Sequence, residues 1–440
     1  MPFPGGKCIA MLAVGLICGI TCACMIGMIL WKPQVKYRGV IFDTYPLVAL
    51  AGCLVLLISG HLPLHVYWQG LTADTSVNPL KILILFFSMT FLSVYLDEAG
   101  FFRYLAGVTL GMAGSSQKRL LLFLYLTVSV LTVFTSNDIV VLTFTPFICY
   151  FAKSANIDPI PYLVTEFVAA NTFSMVFIIG NPTNIYLATS AGLEFLPYAK
   201  VMVLPTFAAG TVVWFVLRLL FRKALKKEIS TSVERSAMKN RGAVIIGGVH
   251  LAVCTVLLVV SSYAELPMWG IALAAAVSLI ITTLIASRIG GWRPKMLGRS
   301  IARLPWPLIP FVFSMFALVL ALNRSGISAN IAAMMTHSNP IATYGIVSTL
   351  AANLINNIPM SVLFSSLLPA DGSLGAVFAS IIGSNLGAYL TPIGALAGIM
   401  WMSILKTTGV KYTFARFTAY GFCVVIPACA AALLMLALVL

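Results

Sequence analysis

Apolar residues run for about 20 positions at a time along this chain, over 8–30, 39–60, 242–262, 267–286 and 416–438. They do not alternate with polar ones, and Leu, Ala, Val and Ile dominate, so the pattern predicts helices rather than barrel strands. Roughly 20 apolar residues in helical form cross the hydrocarbon layer of a bilayer. A backbone inside lipid must satisfy its own N–H and C=O groups, which a helix does within one segment. The expected fold is an all-α polytopic membrane protein with about ten transmembrane helices.

Polar residues break this pattern at four places. In 120–152 they gather in the middle, at Thr135, Ser136, Asn137 and Asp138, and in 340–370 at Asn353, Asn356 and Asn357, followed by Pro359. These two segments are expected to be re-entrant helical hairpins. Gly180-Asn181-Pro182-Thr183-Asn184 and Gly383-Ser384-Asn385-Leu386-Gly387 each interrupt an apolar helix, predicting broken helices over about 159–192 and 374–403. Non-helical backbone at membrane depth is tolerated only where it is buried in protein or lines a cavity. All four breaks therefore point to a site.

Composition agrees with a membrane solvent: 60% of residues are hydrophobic and 9% charged, against about 25% charged in soluble chains. The formal charge of +15 does not indicate nucleic acid, because the basic residues are scattered between apolar runs. It reports orientation instead. Lys32, Lys36, Arg38, Arg103, Lys118, Arg119, Lys153 and the loops 218–241, 288–304 and 405–416 hold 23 basic residues on one side; Lys7, Lys81, Lys200 and Arg324 make 4 on the other. By the positive-inside rule the larger set is cytoplasmic and both termini are not. The split requires the two hairpins to enter and leave on one side. A bacterial or archaeal cytoplasmic membrane is the expected location. The stretch 8–30 lacks a polar, small-residue cleavage region after it and reads as a retained first span. Nine cysteines lie almost all within apolar runs, where Cys acts as a small hydrophobe. Cys22 and Cys24 are read as packing residues rather than soft-metal ligands.

The halves repeat. Phe87-Ser88-Met89 with Ala99-Gly100-Phe101 matches Phe313-Ser314-Met315 with Ser325-Gly326-Ile327 at an offset of 226. Ile178-Ile179-Gly180 with Tyr186-Leu187 matches Ile381-Ile382-Gly383 with Tyr389-Leu390 at an offset of 203. The expected division is a first repeat at 1–217, a basic cytoplasmic linker at 218–241 and a second repeat at 242–440. Five spans and one hairpin per half, an odd number of crossings, invert the second repeat. Inverted repeats with interrupted helices mark a transporter's midplane site.

At these residues the chain resembles the ion transporter superfamily and, within it, the arsenical pump membrane proteins. Gly383 to Trp401, GSNLGAYLTPIGALAGIMW, is similar to that family's Gly-x-x-Leu-Gly, Thr-Pro-Ile-Gly and terminal Trp pattern. Asn356-Asn357-Ile358-Pro359 resembles its Asn-Asn-Leu-Pro hairpin and Ser136-Asn137-Asp138 its Ala-Asn-Asp. Gly180 to Asn184 is closer to the Gly-Thr-Pro-Pro-Asn element of the superfamily's divalent-anion sodium symporters. The resemblance spans about 80–405 and implies a site between the hairpin tips, a homodimer and an elevator-like step. Arsenical pumps can borrow an ATPase subunit, and the resemblance extends that partner to this chain. The chain itself carries no Gly-x-x-x-x-Gly-Lys-[Ser/Thr] loop to cradle phosphate, so its own driving force is expected to be an ion gradient or the membrane potential.

Candidate chemistry follows from which groups sit in the breaks. Asp138 and Glu166 are the ionisable residues well within these elements, and an intramembrane carboxyl is a functional candidate by default. Asp138 is assigned to coupling, through H⁺ or Na⁺. Glu166, toward the cytoplasmic third of its helix, is either a proton relay or a side chain snorkelling to the interface. With no Lys or Arg in the breaks, a dicarboxylate would have to rely on helix N-termini and amides. A small neutral polyhydroxyl needs several donors and acceptors, which Ser136, Asn137, Asn181, Thr183, Asn184, Asn357, Ser384, Asn385 and Thr391 provide; Gly180, Asn356 and Gly383 complete the candidate site. The reading is a secondary transporter exporting arsenite or antimonite against protons, with no cofactor. The alternatives are a sodium/proton antiporter or sodium-coupled organic-anion carrier on the same fold and, remotely, a membrane-embedded enzyme. Against an enzyme, the four His are dispersed, and Pro63 separates His61 from His65.

Overall fold

The computed structural model describes residues 4–32, 34–37, 40–74, 78–226, 229, 240–264, 266–290, 294–335, 339–369 and 373–440. Arg38, Lys227, Arg235, Lys239 and Arg293 of the basic set, and His337, lie outside the described residues, as do the side chains of Lys7 and Lys36.

The first half contains α1 (Pro4–Trp31), α2 (Thr44–Ile58), α3 (Leu64–Thr72), α4 (Pro79–Glu98) and α5 (Phe101–Ala113). It continues with α6 (Gln117–Phe134), α7 (Asn137–Ser154), α8 (Ile160–Phe173), α9 (Pro182–Ser190) and α10 (Phe195–Leu220). The second half repeats that order. It runs α11 (Arg241–Ala264), α12 (Met268–Ile289), α13 (Lys295–Ala302), α14 (Leu308–Ser325) and α15 (Ile327–Met335), then α16 (Pro340–Ile355), α17 (Asn357–Ser365), α18 (Leu374–Gly387), α19 (Leu396–Thr407) and α20 (Phe414–Val439). Between α1 and α2 a small antiparallel hairpin, β1 (Gln34–Tyr37) and β2 (Val40–Asp43), replaces the helical start expected from residue 39.

Local sequence chemistry sets many of these boundaries. Asn78, Asn181 and Asn339 each precede a proline and accept from backbone N–H groups of the helix they open, combining an Asn N-cap with the fixed φ of proline at N1. Gly100 and Gly326, with φ of 92° and 83°, turn the chain from α4 into α5 and from α14 into α15. Both sit in the left-handed region that glycine enters without steric cost.

Packing repeats with the order. α4 packs on α12 as α14 packs on α2, α9 on α17 as α19 on α7, and α6 on α8 as α16 on α18. α4 lies deep inside, with 78% of its apolar window buried; α12 has only 22% of its window buried and turns Leu273, Val277 and Ile281 outward. Such apolar outer faces need lipid as their solvent. Near one end of the bundle, Arg303 beyond α13 reaches Asp97 and Glu98 of α4, each at 2.7 Å.

Helix–turn–helix pairs, α6–α7 and α16–α17, occupy the two expected hairpin segments, and both helix interruptions lie elsewhere than expected. The first break spans 174–181, and Pro182, Thr183 and Asn184 already belong to α9. The second break spans 388–395; Gly383, Ser384 and Asn385 lie inside α18. The glycines there serve packing. A Cβ on Gly383 would stand 2.6 Å from the Gly345 carbonyl oxygen, and one on Gly387 2.9 Å from that of Thr349, so both let α18 lie against α16. The pairing of Ile178-Ile179-Gly180 with Ile381-Ile382-Gly383 is out of register for the same reason. Ile160 and Leu374 open one pair of equivalent helices and Pro182 and Leu396 the next, each 214 residues apart rather than 203.

Gly383→Leu is expected to destabilise the protein by at least about 2 kcal/mol, because the added side chain meets backbone that cannot move aside. Gly19→Leu on α1, where nothing lies within 4 Å, should leave the detergent melting temperature unchanged; equal melting of the two variants would contradict the packing role.

Candidate functional site

Each hairpin turns in one or two residues. Thr135 and Ser136 link α6 to α7, and Asn356 alone links α16 to α17, at φ 72° and ψ 152°. A non-glycine residue held at positive φ marks a locally over-determined tip. The side chain of Asn356 accepts from the Ile358 N–H at 3.3 Å and donates to the Ile393 carbonyl at 3.1 Å. The Asn357 N–H donates to the Gly394 carbonyl at 3.0 Å. Asn353 adds a third tie: its Oδ1 accepts from the Thr391 hydroxyl at 2.6 Å and N–H at 3.0 Å, and its Nδ2 donates to the Gly387 carbonyl at 2.9 Å. The second hairpin is thus fastened to the second break. Thr391 is occupied in that fastening.

At the centre, the two broken helices meet through asparagines. Asn385 Nδ2 donates to Asn184 Oδ1 at 2.6 Å, while Asn385 Oδ1 accepts from Asn181 Nδ2 and Ser174 Oγ, both at 2.9 Å. Asn184 Nδ2 donates to the Ser174 carbonyl at 2.7 Å and holds the first break closed on itself. Gly180 is required there, since a Cβ would overlap that same carbonyl. The first hairpin joins through Asn171, whose Oδ1 accepts from Asn137 Nδ2 at 3.0 Å. Asn171 and Asn385 are equivalent residues, 214 apart, and each donates to the carbonyl four residues back at 2.8 Å. Asn171 is the member of this asparagine network that sequence reasoning missed. The offset of 203 concealed it, whereas an offset of 214 pairs it directly with Asn385.

Several polar atoms in this region are left over. Ser136 Oγ, Asn137 Oδ1, Thr183 Oγ1, Asn357 Oδ1 and Ser384 Oγ are buried with no hydrogen-bond partner among the described residues. Leaving one buried polar group unsatisfied costs about 1–3 kcal/mol, so these five at the hairpin tips and beside the breaks are candidates for polar contacts to a solute. Asp138 stands in the first turn of α7 and is partly exposed, with no hydrogen bond or ion pair among the described residues. A carboxylate in the first turn is favoured by the helix dipole.

Glu166 stands apart from this network. It is fully buried, which overturns the snorkelling alternative. The Thr145 hydroxyl reaches both carboxyl oxygens at 3.1 Å and Trp401 Nε1 donates at 3.4 Å, tying α8 to α7 and α19. His65 lies within α3 and His61 precedes it, hydrogen-bonded to Ser59 at 2.9 Å.

Known proteins resemble the chain in sequence and in overall fold. A citrate transporter family (CitMHS) model matches residues 26–378. The chain belongs to that family. The chain is also 26% identical to an arsenical pump membrane protein of Escherichia coli over 96% of this chain and 98% of that one. A protein of the same description from Yersinia enterocolitica is 26% identical over 80% of this chain and 85% of its own length. Among solved structures, the Alcanivorax borkumensis YdaH transporter superposes with a TM-score of 0.56 at 12% identity, covering 98% of both chains. Neisseria gonorrhoeae MtrF, described as one of a class of antimetabolite efflux pumps, gives 0.54 at 12% identity, covering 97% of this chain and 94% of its own. These two share the fold. The citrate transporter family and the arsenical pump relatives make this chain an integral membrane transporter of small solutes, not an enzyme.

Proposed function

We propose that the chain is a secondary transporter exporting arsenite or antimonite, driven by a proton gradient or the membrane potential. The observation that carries this reading is the set of five buried, unpartnered oxygens on Ser136, Asn137, Thr183, Asn357 and Ser384. They offer hydrogen bonds without a fixed positive charge, which suits a small neutral polyhydroxyl. The names of the Escherichia coli and Yersinia relatives support the same solute class. On this reading α6 belongs to a re-entrant hairpin, and the other seven long apolar helices, α2 and the two broken helices count as ten crossings, five per half, which inverts the repeats. Asp138 carries the coupling ion, and Glu166 is a buried second carboxyl that relays a proton. The same reading takes the assembly as a homodimer in a bacterial or archaeal cytoplasmic membrane, with an ATPase subunit as an optional partner.

A polycarboxylate such as citrate is the second reading, favoured by the description of the matched family. It would rest on the N-terminal amides of α7, α9, α17 and α19, with neither Lys nor Arg in the breaks. Flux into proteoliposomes holding the purified chain, measured for arsenite, antimonite and citrate under imposed pH and sodium gradients, separates the two. Arsenite flux driven by the pH gradient or the potential is expected; citrate flux that requires sodium, with no arsenite flux, would replace the first reading by the second.

Orientation has its own test. Arg222, Lys223 and Lys226 are exposed at the end of α10 and belong to the cytoplasmic set. A single cysteine replacing Arg222 in an otherwise cysteine-free variant is expected to resist an impermeant thiol reagent in intact cells and to react after permeabilisation. Labelling in intact cells would reverse the topology.

A further inference from the structure

A second binding surface lies away from the hairpin tips. Where the start of α6 meets the end of α10, a groove with a cavity volume of about 780 Å³ is lined by Lys118, Arg119, Arg218, Arg222, Lys223 and Lys226. Among the described residues no acidic side chain lines it, and none of the six forms an ion pair. All six are exposed. Like charges crowded in one groove repel one another unless an anion joins them. The rest of the wall is apolar: Phe215 is 61% and Leu219 64% exposed on the same face, one to two turns from the cations, and Trp214 lies beside them.

We infer that this groove binds the phosphate headgroup of an anionic phospholipid, with its acyl chains laid along Phe215 and Leu219. The argument is one of matched halves. Six cations at one end call for a phosphate, and exposed apolar side chains on membrane helices call for hydrocarbon, so the occupant must carry both. Free phosphate would leave the apolar half unused, and a neutral lipid the charged half. Basic pockets between membrane helices on the positive-inside face suit anionic headgroups for this reason. The tryptophan marks the depth, since its amphipathic ring favours the headgroup level. This site is independent of which solute is carried, and it would make stability or turnover sensitive to bilayer composition.

Native mass spectrometry of the full chain in a neutral detergent, with phosphatidylglycerol or phosphatidylcholine of identical acyl chains added, provides the test. The wild type is expected to retain phosphatidylglycerol over phosphatidylcholine by about tenfold or more. R218Q/R222Q/K223Q is expected to reduce that retention by on the order of 10- to 100-fold, while R218K/R222K keeps the preference and K295Q/R299Q on α13 leaves it unchanged. If the triple variant is not monodisperse, R222Q alone is used, with a fall of roughly fivefold expected. Equal retention of the two lipids, or wild-type retention by a monodisperse glutamine variant, would overturn the site and leave the cations to a soluble acidic partner. Complete displacement of phosphatidylglycerol by excess inorganic phosphate would also overturn it, in favour of a site for the free anion.

Discussion

Asn137→Ala and Asn357→Ala are each expected to reduce transport by on the order of 100-fold while the protein still inserts and stays monodisperse. The two residues open equivalent half-helices, α7 and α17, and each presents a buried Oδ1 with no partner. If those oxygens contact the solute in the moving state, each deletion removes about 1–3 kcal/mol of interaction, which corresponds to roughly 5- to 150-fold in rate. The positioning contacts differ between them. Asn137 is held by Asn171 through its amide nitrogen, whereas Asn357 is held by its own backbone N–H on the Gly394 carbonyl. Asn171→Ala should therefore impair the first tip and spare the second, giving a smaller loss than Asn137→Ala. Radiolabelled solute flux in proteoliposomes at matched protein density checks all three. Normal flux in either tip variant would remove that hairpin from the path.

Asp138→Asn is expected to uncouple transport from its driving ion. The substitution keeps size and hydrogen-bonding capacity while deleting the charge. Asp138 has no ion-pair partner among the described residues, and the equivalent residue in the second hairpin is Ile358, so the charge is specific to the first tip. A carboxylate at that depth must be neutralised by a proton or a cation. Under a pH gradient the wild type should accelerate several-fold and the variant should not; if sodium is the coupling ion, the same loss appears under a sodium gradient instead. A variant that keeps wild-type dependence on both gradients would make Asp138 structural and leave Glu166, held by Thr145 and Trp401, as the coupling carboxyl.

Much of this fold was legible because lipid constrains sequence tightly. Unbroken apolar runs and polar hairpin centres each reflect one physical demand, and the helices α6, α7, α16 and α17 formed within a few residues of expectation. What misled was glycine. Gly383 and Gly387 resemble helix breakers in sequence, but their missing side chains admit α16, and the helix breaks beyond them at 388–395. Reading them as a break also fixed the wrong offset between halves and hid the Asn171–Asn385 equivalence. Glu166 was a candidate from sequence, but its burial and its partners were not legible: Thr145 and Trp401 lie 21 and 235 residues away, and no periodicity carries such a contact.

The central claim is that the solute sits between the two hairpin tips and the paired breaks. Arsenic and antimony are heavy scatterers, so anomalous diffraction from a crystal grown with arsenite or antimonite locates the solute without reliance on activity. A peak within hydrogen-bonding reach of Asn137, Asn357 or Ser384 is predicted. A peak confined to cysteines such as Cys22 and Cys24, with none at the tips, would contradict the account.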